Sequence, residues 1–137
     1  MNNFIKLYLL SSLSLSFINA DTTKFGLGSC LDQDYPQPIW KAIEKEDLDY
    51  FVFLGDNVYG DLPSGSLRKM VSAYKKQKNN FPEWMKNVEI LPIWDDHDYG
   101  LNDAGSEYPL KRQSQEIYLN FWGIPLDDDR HNRDGIY

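Results

Sequence analysis

Three short apolar runs, TKFGLGS (23–29), DYFVFLGD (49–56) and VEILPIW (88–94), limit the folds open to this chain. The first alternates weakly, the second is rich in β-formers, and all three are short enough to read as strands. The segments between them carry helical signals. In YPQPIWKAIEKED the prolines favour a helix start, and Ile39, Trp40 and Ile43 fall on one face. In LRKMVSAYKKQKN, Leu67, Met70, Val71 and Tyr74 keep helical spacing behind a Ser64 or Ser66 cap. FPEWMKN adds one or two turns from Pro82. A polar loop runs from the third strand to about Pro109, and LKRQSQEIYLNFWG then reads as a helix with Ile117 and Phe121 inward and Gly123 as its stop. The fold class is therefore α/β, in β-α-β-α-β-loop-α order. Strands alternating with helices imply a parallel sheet with right-handed crossovers. The second strand is expected to be buried on both faces, and Pro92 marks the third as an edge or a bulge.

The polar residues fall where each apolar run ends: GSC after the first, GDNVYGD after the second, WDDHDYG after the third. In open α/β sheets ligands bind at the carboxyl ends of the strands, so the three loops can meet at one point. They bring one thiol, a phenol, an imidazole and up to five carboxylates. Such a knot of like charge is tolerable if cations neutralise it. Carboxylates suit hard cations, a thiolate suits softer metals, and a phenolate suits ferric iron. Singly, each residue has a plainer reading. A lone Cys30 serves as a small buried hydrophobe, Gly55-Asp56 as a turn, Tyr59 as packing, His97 as a solvated imidazole, and Asp95 or Asp98 as a cap. Together the plain readings must all land at strand ends.

Composition narrows the partners. A formal charge of −7 disfavours a nucleic-acid backbone. Residues 1–20 join one Lys, the apolar stretch LYLLSSLSLSFI and a small Ala20 before Asp21, the pattern of a signal peptide cleaved after Ala20. The expected location is secreted, periplasmic or lumenal, with no stable membrane anchor after cleavage. The tail DDDRHNRDG is not a calcium loop. With Gly135 at the loop's glycine position, Arg130 stands where an Asp is needed and no Glu closes the loop.

FGLGSC, FVFLGDNVYGD and IWDDHDYGLNDAG, with the helix and tail KRQSQEIYLNFWGIPLDDDRHNRDGIY, resemble the alkaline phosphatase D (PhoD-like) family of metallophosphoesterases. The resemblance implies hydrolysis of phosphate mono- or diesters by a metal-bound hydroxide at a multi-metal site holding Fe3+ and Ca2+. Cys30 would give a thiolate to iron, Asp56 would bridge two metals, and Tyr59 would give the iron a phenolate. Asp96 would ligate the calcium, and His97 would face the phosphate as acid or electrostatic stabiliser. Asn57, Asp95 and Asp98 would order the loops, and Asn102 would reach the site. Asp98 stands where the family often has Glu. The resemblance further implies that 21–137 is the N-terminal portion of a longer domain whose later strands add ligands. The competing expectation is a secreted acidic calcium-binding module without turnover.

Overall fold

The computed structural model describes residues 22–136; the signal peptide expected over residues 1–20 lies outside them. Strands β1 (Phe25–Gly28), β2 (Tyr50–Leu54) and β3 (Glu89–Ile93) form a three-stranded sheet in the order β1-β2-β3, both pairings parallel. Helix α1 (Trp40–Ile43) lies between β1 and β2, and α2 (Met70–Asn80) between β2 and β3. A short α3 (Asp96–Tyr99) and a longer α4 (Lys111–Trp122) follow β3. The chain is thus mixed α/β with a small open parallel sheet.

Register explains the composition of the strands. Gly26, Phe51 and Ile90 align across the sheet, as do Gly28, Phe53 and Pro92. The two glycines of β1 make room for the Phe51 ring. A Cβ on Gly26 would stand 2.6 Å from Phe51 Cδ2, and one on Gly28 would stand 3.1 Å from Phe51 Cζ. Phe51 and Phe53 are buried with Trp40 and Met85, with Phe81, Trp84 and Trp122 packed around them. A second cluster joins Val58, Met70 and Tyr74 to Tyr118 and Leu119 of α4 and to Ile136. Pro92 sits in a continuous register on a strand at the edge of this sheet, so it needs no bulge.

Several expectations change. β2 is buried on one face only. Helices cover the Phe51 side, while Phe25, Leu27, Leu54, Leu91 and Ile93 are exposed on the other. The i, i+3 pattern of α2 turns Met70 and Tyr74 inward but leaves Val71 61% exposed, because Ala73 and Gln77 complete the buried stripe instead. Ile39 likewise faces solvent while Trp40 is buried. In α4 the fully buried positions are Ser114, Gln115, Tyr118 and Leu119, with Ile117 and Phe121 at the margin. Ser66 supplies the cap, its Oγ accepting from the Arg68 N–H at 3.4 Å, and the 3-10 turn Leu67–Lys69 leads into α2. WDDHDYG, read as the start of a loop, contains α3. No helix among the described residues is long and apolar enough to cross a membrane.

Candidate metal centre

The ends of β1 and β2 are joined first through their backbones. Cys30 N donates to Gly55 O at 3.3 Å, and Leu31 N donates to Asp56 O at 2.8 Å. Both Cys30 (φ 58°) and Asp56 (φ 51°) lie in the left-handed region, which non-glycine residues seldom occupy. Such backbone costs free energy of order 1–3 kcal/mol per residue and persists where surrounding contacts enforce it. Before Asp56, Gly55 (φ 98°) is required: a Cβ there would stand 2.5 Å from Asp95 Cβ. That close approach brings the β3 loop against the β2 loop.

The acids meet in two overlapping groups. In the first, Asp56 Oδ2 accepts from Tyr59 OH at 3.0 Å and from Cys30 Sγ at 3.6 Å. In the second, one ligand atom each from Asp56, Asp96 and His97 lie within 4.8 Å of one another. Asp56 belongs to both, and its Oδ1 is buried with no hydrogen-bond partner. A carboxylate oxygen shut away from water without a donor is costly, unless a cation takes the place of the donor. With this oxygen, Asp56, Asp96 and His97 form a group that could hold a cation.

Asp98 ties the loops together. It is fully buried and accepts from Asn57 N at 3.1 and 3.0 Å, Asn57 Nδ2 at 3.0 Å, Tyr74 OH at 3.0 Å and Asp95 N at 3.2 Å. The bond from Asp95 N is the return half of a capping box that starts α3. Asn57 also donates to Ile93 O at 2.9 Å, fastening the β2 loop to the end of β3. Burial pushes the Asp98 carboxyl up to about 7, against the pull of the Asn57, Asp95 and Tyr74 donors.

The remaining groups are tuned by the same crowding. Burial, then the hydrogen bonds and charges of Asp56 and Cys30, holds the Tyr59 phenol far above its ordinary value. The Asp103 N–H, 2.7 Å from Asp96 Oδ2, holds Asp96 low despite some burial. Burial pulls His97 down, but the hydrogen bond and charge of Asp61, with Asp56 and Asp96 behind it, outweigh that and leave the imidazole above its ordinary value.

The structure therefore brings Cys30, Asp56, Tyr59, Asp96 and His97 to one end of the sheet, with Asn57, Asp95 and Asp98 ordering the loops beneath them. Asn102 is not among them. It is exposed and gives its amide to Asp103 at 2.6 Å. Two contributors carry no role in the sequence reading. Gln33, buried, holds Tyr59 by its main chain: its Nε2 donates to Tyr59 O at 3.2 Å and its Oε1 accepts from Tyr59 N at 2.8 Å. No sequence pattern marks it. Asp61, five residues after Asp56, pairs with His97 at 2.8 Å; the last letter of GDNVYGD was its only signal. Against protein-family models, curated proteins and solved structures, the chain finds no match.

Proposed function

We propose that this site binds metal and hydrolyses phosphate esters, as the resemblance to PhoD-like phosphoesterases implies. The observation that carries the reading is Asp56. One of its oxygens is taken by a phenol and a thiol, the other is buried and unpartnered, and one oxygen of this carboxylate lies within 4.8 Å of a ligand atom of Asp96 and one of His97. Asp56 and Asp96, as hard oxygen donors, would hold a cation such as Ca2+. Cys30 and Tyr59, both on Asp56 Oδ2, would offer a thiolate and a phenolate to a ferric ion. A bound cation supplies charge neutralisation and polarises the ester phosphate.

The chain's own residues do the rest. Asp98 and Asn57 fix the β2 and β3 loops so that Asp56 and Asp96 need no rearrangement to meet a ligand, which keeps reorganisation small. The Asp96–Asp103 contact keeps Asp96 ionised and aimed. His97, paired with Asp61 at 2.8 Å beside the cluster, is the group that would give a proton to the departing alkoxide oxygen. Water adds to phosphorus, the ester P–O bond breaks, and the alcohol leaves with that proton.

Turnover of a chromogenic phosphodiester with Fe3+ and Ca2+ tests the reading. Activity that Asp56→Asn abolishes is expected. Cation-dependent stabilisation with no turnover of any phosphomonoester or diester would replace the hydrolase by a calcium-binding module.

A further inference from the structure

The chain has a formal charge of −7, yet residues 62–82 hold Arg68, Lys69, Lys75, Lys76 and Lys78 and no carboxylate. A solvated helix face accounts for most of these cations. Lys69 and Lys76 have a more particular setting. With Ser72 they recur at helical spacing, and the three line a cavity of about 300 Å³ bordered also by Gln33, Asp34 and Tyr59. The cavity is held in shape from beneath. Gln33 is buried and grips the Tyr59 main chain at both its N–H and its carbonyl, while its own carbonyl accepts from Asn80 Nδ2 at 3.0 Å, at the end of α2. Gly60 lets the loop lie against the helix, since a Cβ there would stand 2.8 Å from Met70 Cα. Tyr59 joins this cavity to the acidic cluster: it lines the one and donates its hydroxyl to Asp56 in the other.

We infer that this cavity is a phosphate subsite, and that the ester acted on at the neighbouring cluster carries a second phosphate which the lysines hold. The identity of the substrate rests on the hydrolase reading; the binding of an anion in the cavity does not. The Lys69 ammonium has no hydrogen bond or ion pair among the described residues and is exposed. Lys76 Nζ pairs with Asp34 Oδ1 at 2.6 Å, but the two side chains are 53% and 62% exposed, and an ion pair so open to water holds weakly. Asp34 is the one carboxylate bordering the cavity, and it can turn into solvent. A phosphate group brings roughly two charges and three acceptor oxygens, so it competes for Lys76 and takes Lys69 as well. The carboxylates of Asp56 and Asp96 repel an anion unless a cation covers them. In cation-free protein, a free phosphate therefore has the lysine-lined cavity to enter and not the cluster. An ester with one phosphate would engage the cluster alone, and one with two would gain the lysines.

Inorganic phosphate titrated into cation-free protein tests the subsite through backbone amide shifts, at an ionic strength of about 0.01 M where charges are felt over roughly 30 Å. Saturable shifts are expected at Gln33, Gly60, Ser72 and Ala73. The double variant Lys69→Ala/Lys76→Ala is expected to weaken binding about tenfold or more, the loss that accompanies a charge-assisted hydrogen bond. Both lysines are exposed, so the substitutions spare the core. Lys75→Ala/Lys78→Ala removes the same charge elsewhere on α2 and is expected to leave binding unchanged. In turnover with cations, the Lys69/Lys76 double variant should raise KM about tenfold for an aryl phosphate bearing a second phosphate on its ring, and should not affect the same aryl phosphate without it. Absence of shifts at the cavity, or equal weakening by the two double variants, overturns the subsite. Phosphate binding there with no change in KM for the doubly phosphorylated ester overturns the substrate class. Absence of turnover with either ester removes the hydrolase reading and the substrate class with it, while the phosphate titration still decides the subsite.

Discussion

At the scale of single residues, burial and charge pull Asp98 in opposite directions, and this gives a pH signature. An ordinary Asp ionises near 3.8, whereas Asp98 in the folded chain is pushed up to about 7. Between those values the unfolded chain has released its proton and the folded chain keeps it. Stability from this group is therefore greatest below about pH 4 and declines as pH rises to 7. Chemical denaturation across pH 4–7 should show that decline, and Asp98→Asn should flatten it. The same variant offers an amide to a site made of donors, and is expected to cost about 2–3 kcal/mol at neutral pH. Tyr59 supplies a second test. Its phenol resists ionisation unless a cation is near. Protein loaded with Fe3+ should absorb visible light through phenolate-to-iron charge transfer, and Tyr59→Phe should bleach it with the fold intact. Colour unchanged in the variant would take Tyr59 off the metal. The sequence displayed these side chains because rare polar types ended apolar runs. Gln33 and Asp61 stayed hidden because their partners, the Tyr59 main chain and His97, are 26 and 36 positions away.

Among the elements, the strands were legible and the helix faces were not. A buried strand of five residues has little freedom, and its apolar run names it. A helix face depends on what packs beside it: Val71 fits the spacing of α2 but points to water, while Gln77 is fully buried. Gln77 is inside because its amide pairs with Gln37, donating at 3.2 Å and accepting at 2.8 Å, a match that hydropathy cannot register. The 128–135 tail follows the same rule. Gln115 on α4 donates to the carbonyls of Arg130, Arg133 and Gly135, and Arg112 adds bonds to His131 O and Arg133 O. These contacts tie that acidic segment to α4. Gln115→Ala should leave several carbonyls unmatched, cost about 2 kcal/mol, and raise amide exchange selectively in 129–136. Exchange that rises equally across the sheet would show that the clamp is not local.

At the scale of the whole molecule, a cation held by Asp56 would be coupled to stability, because loops from three separate strand ends converge there. Ca2+ or Mn2+ at about 100 times its dissociation constant should stabilise the fold by about 2.7 kcal/mol, read as a rise in melting temperature that Asp56→Asn removes. Equal melting with and without cations in the unmutated protein would separate the acidic cluster from metal binding. Parallel strands also give the sheet two unlike poles. At one lies the cluster; at the other, Lys24 N–H meets Asp49 Oδ2 at 2.8 Å, Lys24 O accepts the Asp49 and Tyr50 N–H groups, and Asp49 O accepts that of Glu89. Thr22, the first described residue, enters at this second pole. An affinity handle or surface tether joined ahead of Thr22 would therefore hold the protein by its back and leave the acidic pole presented to the bath, the orientation an immobilised sensor for phosphate esters or divalent cations would need.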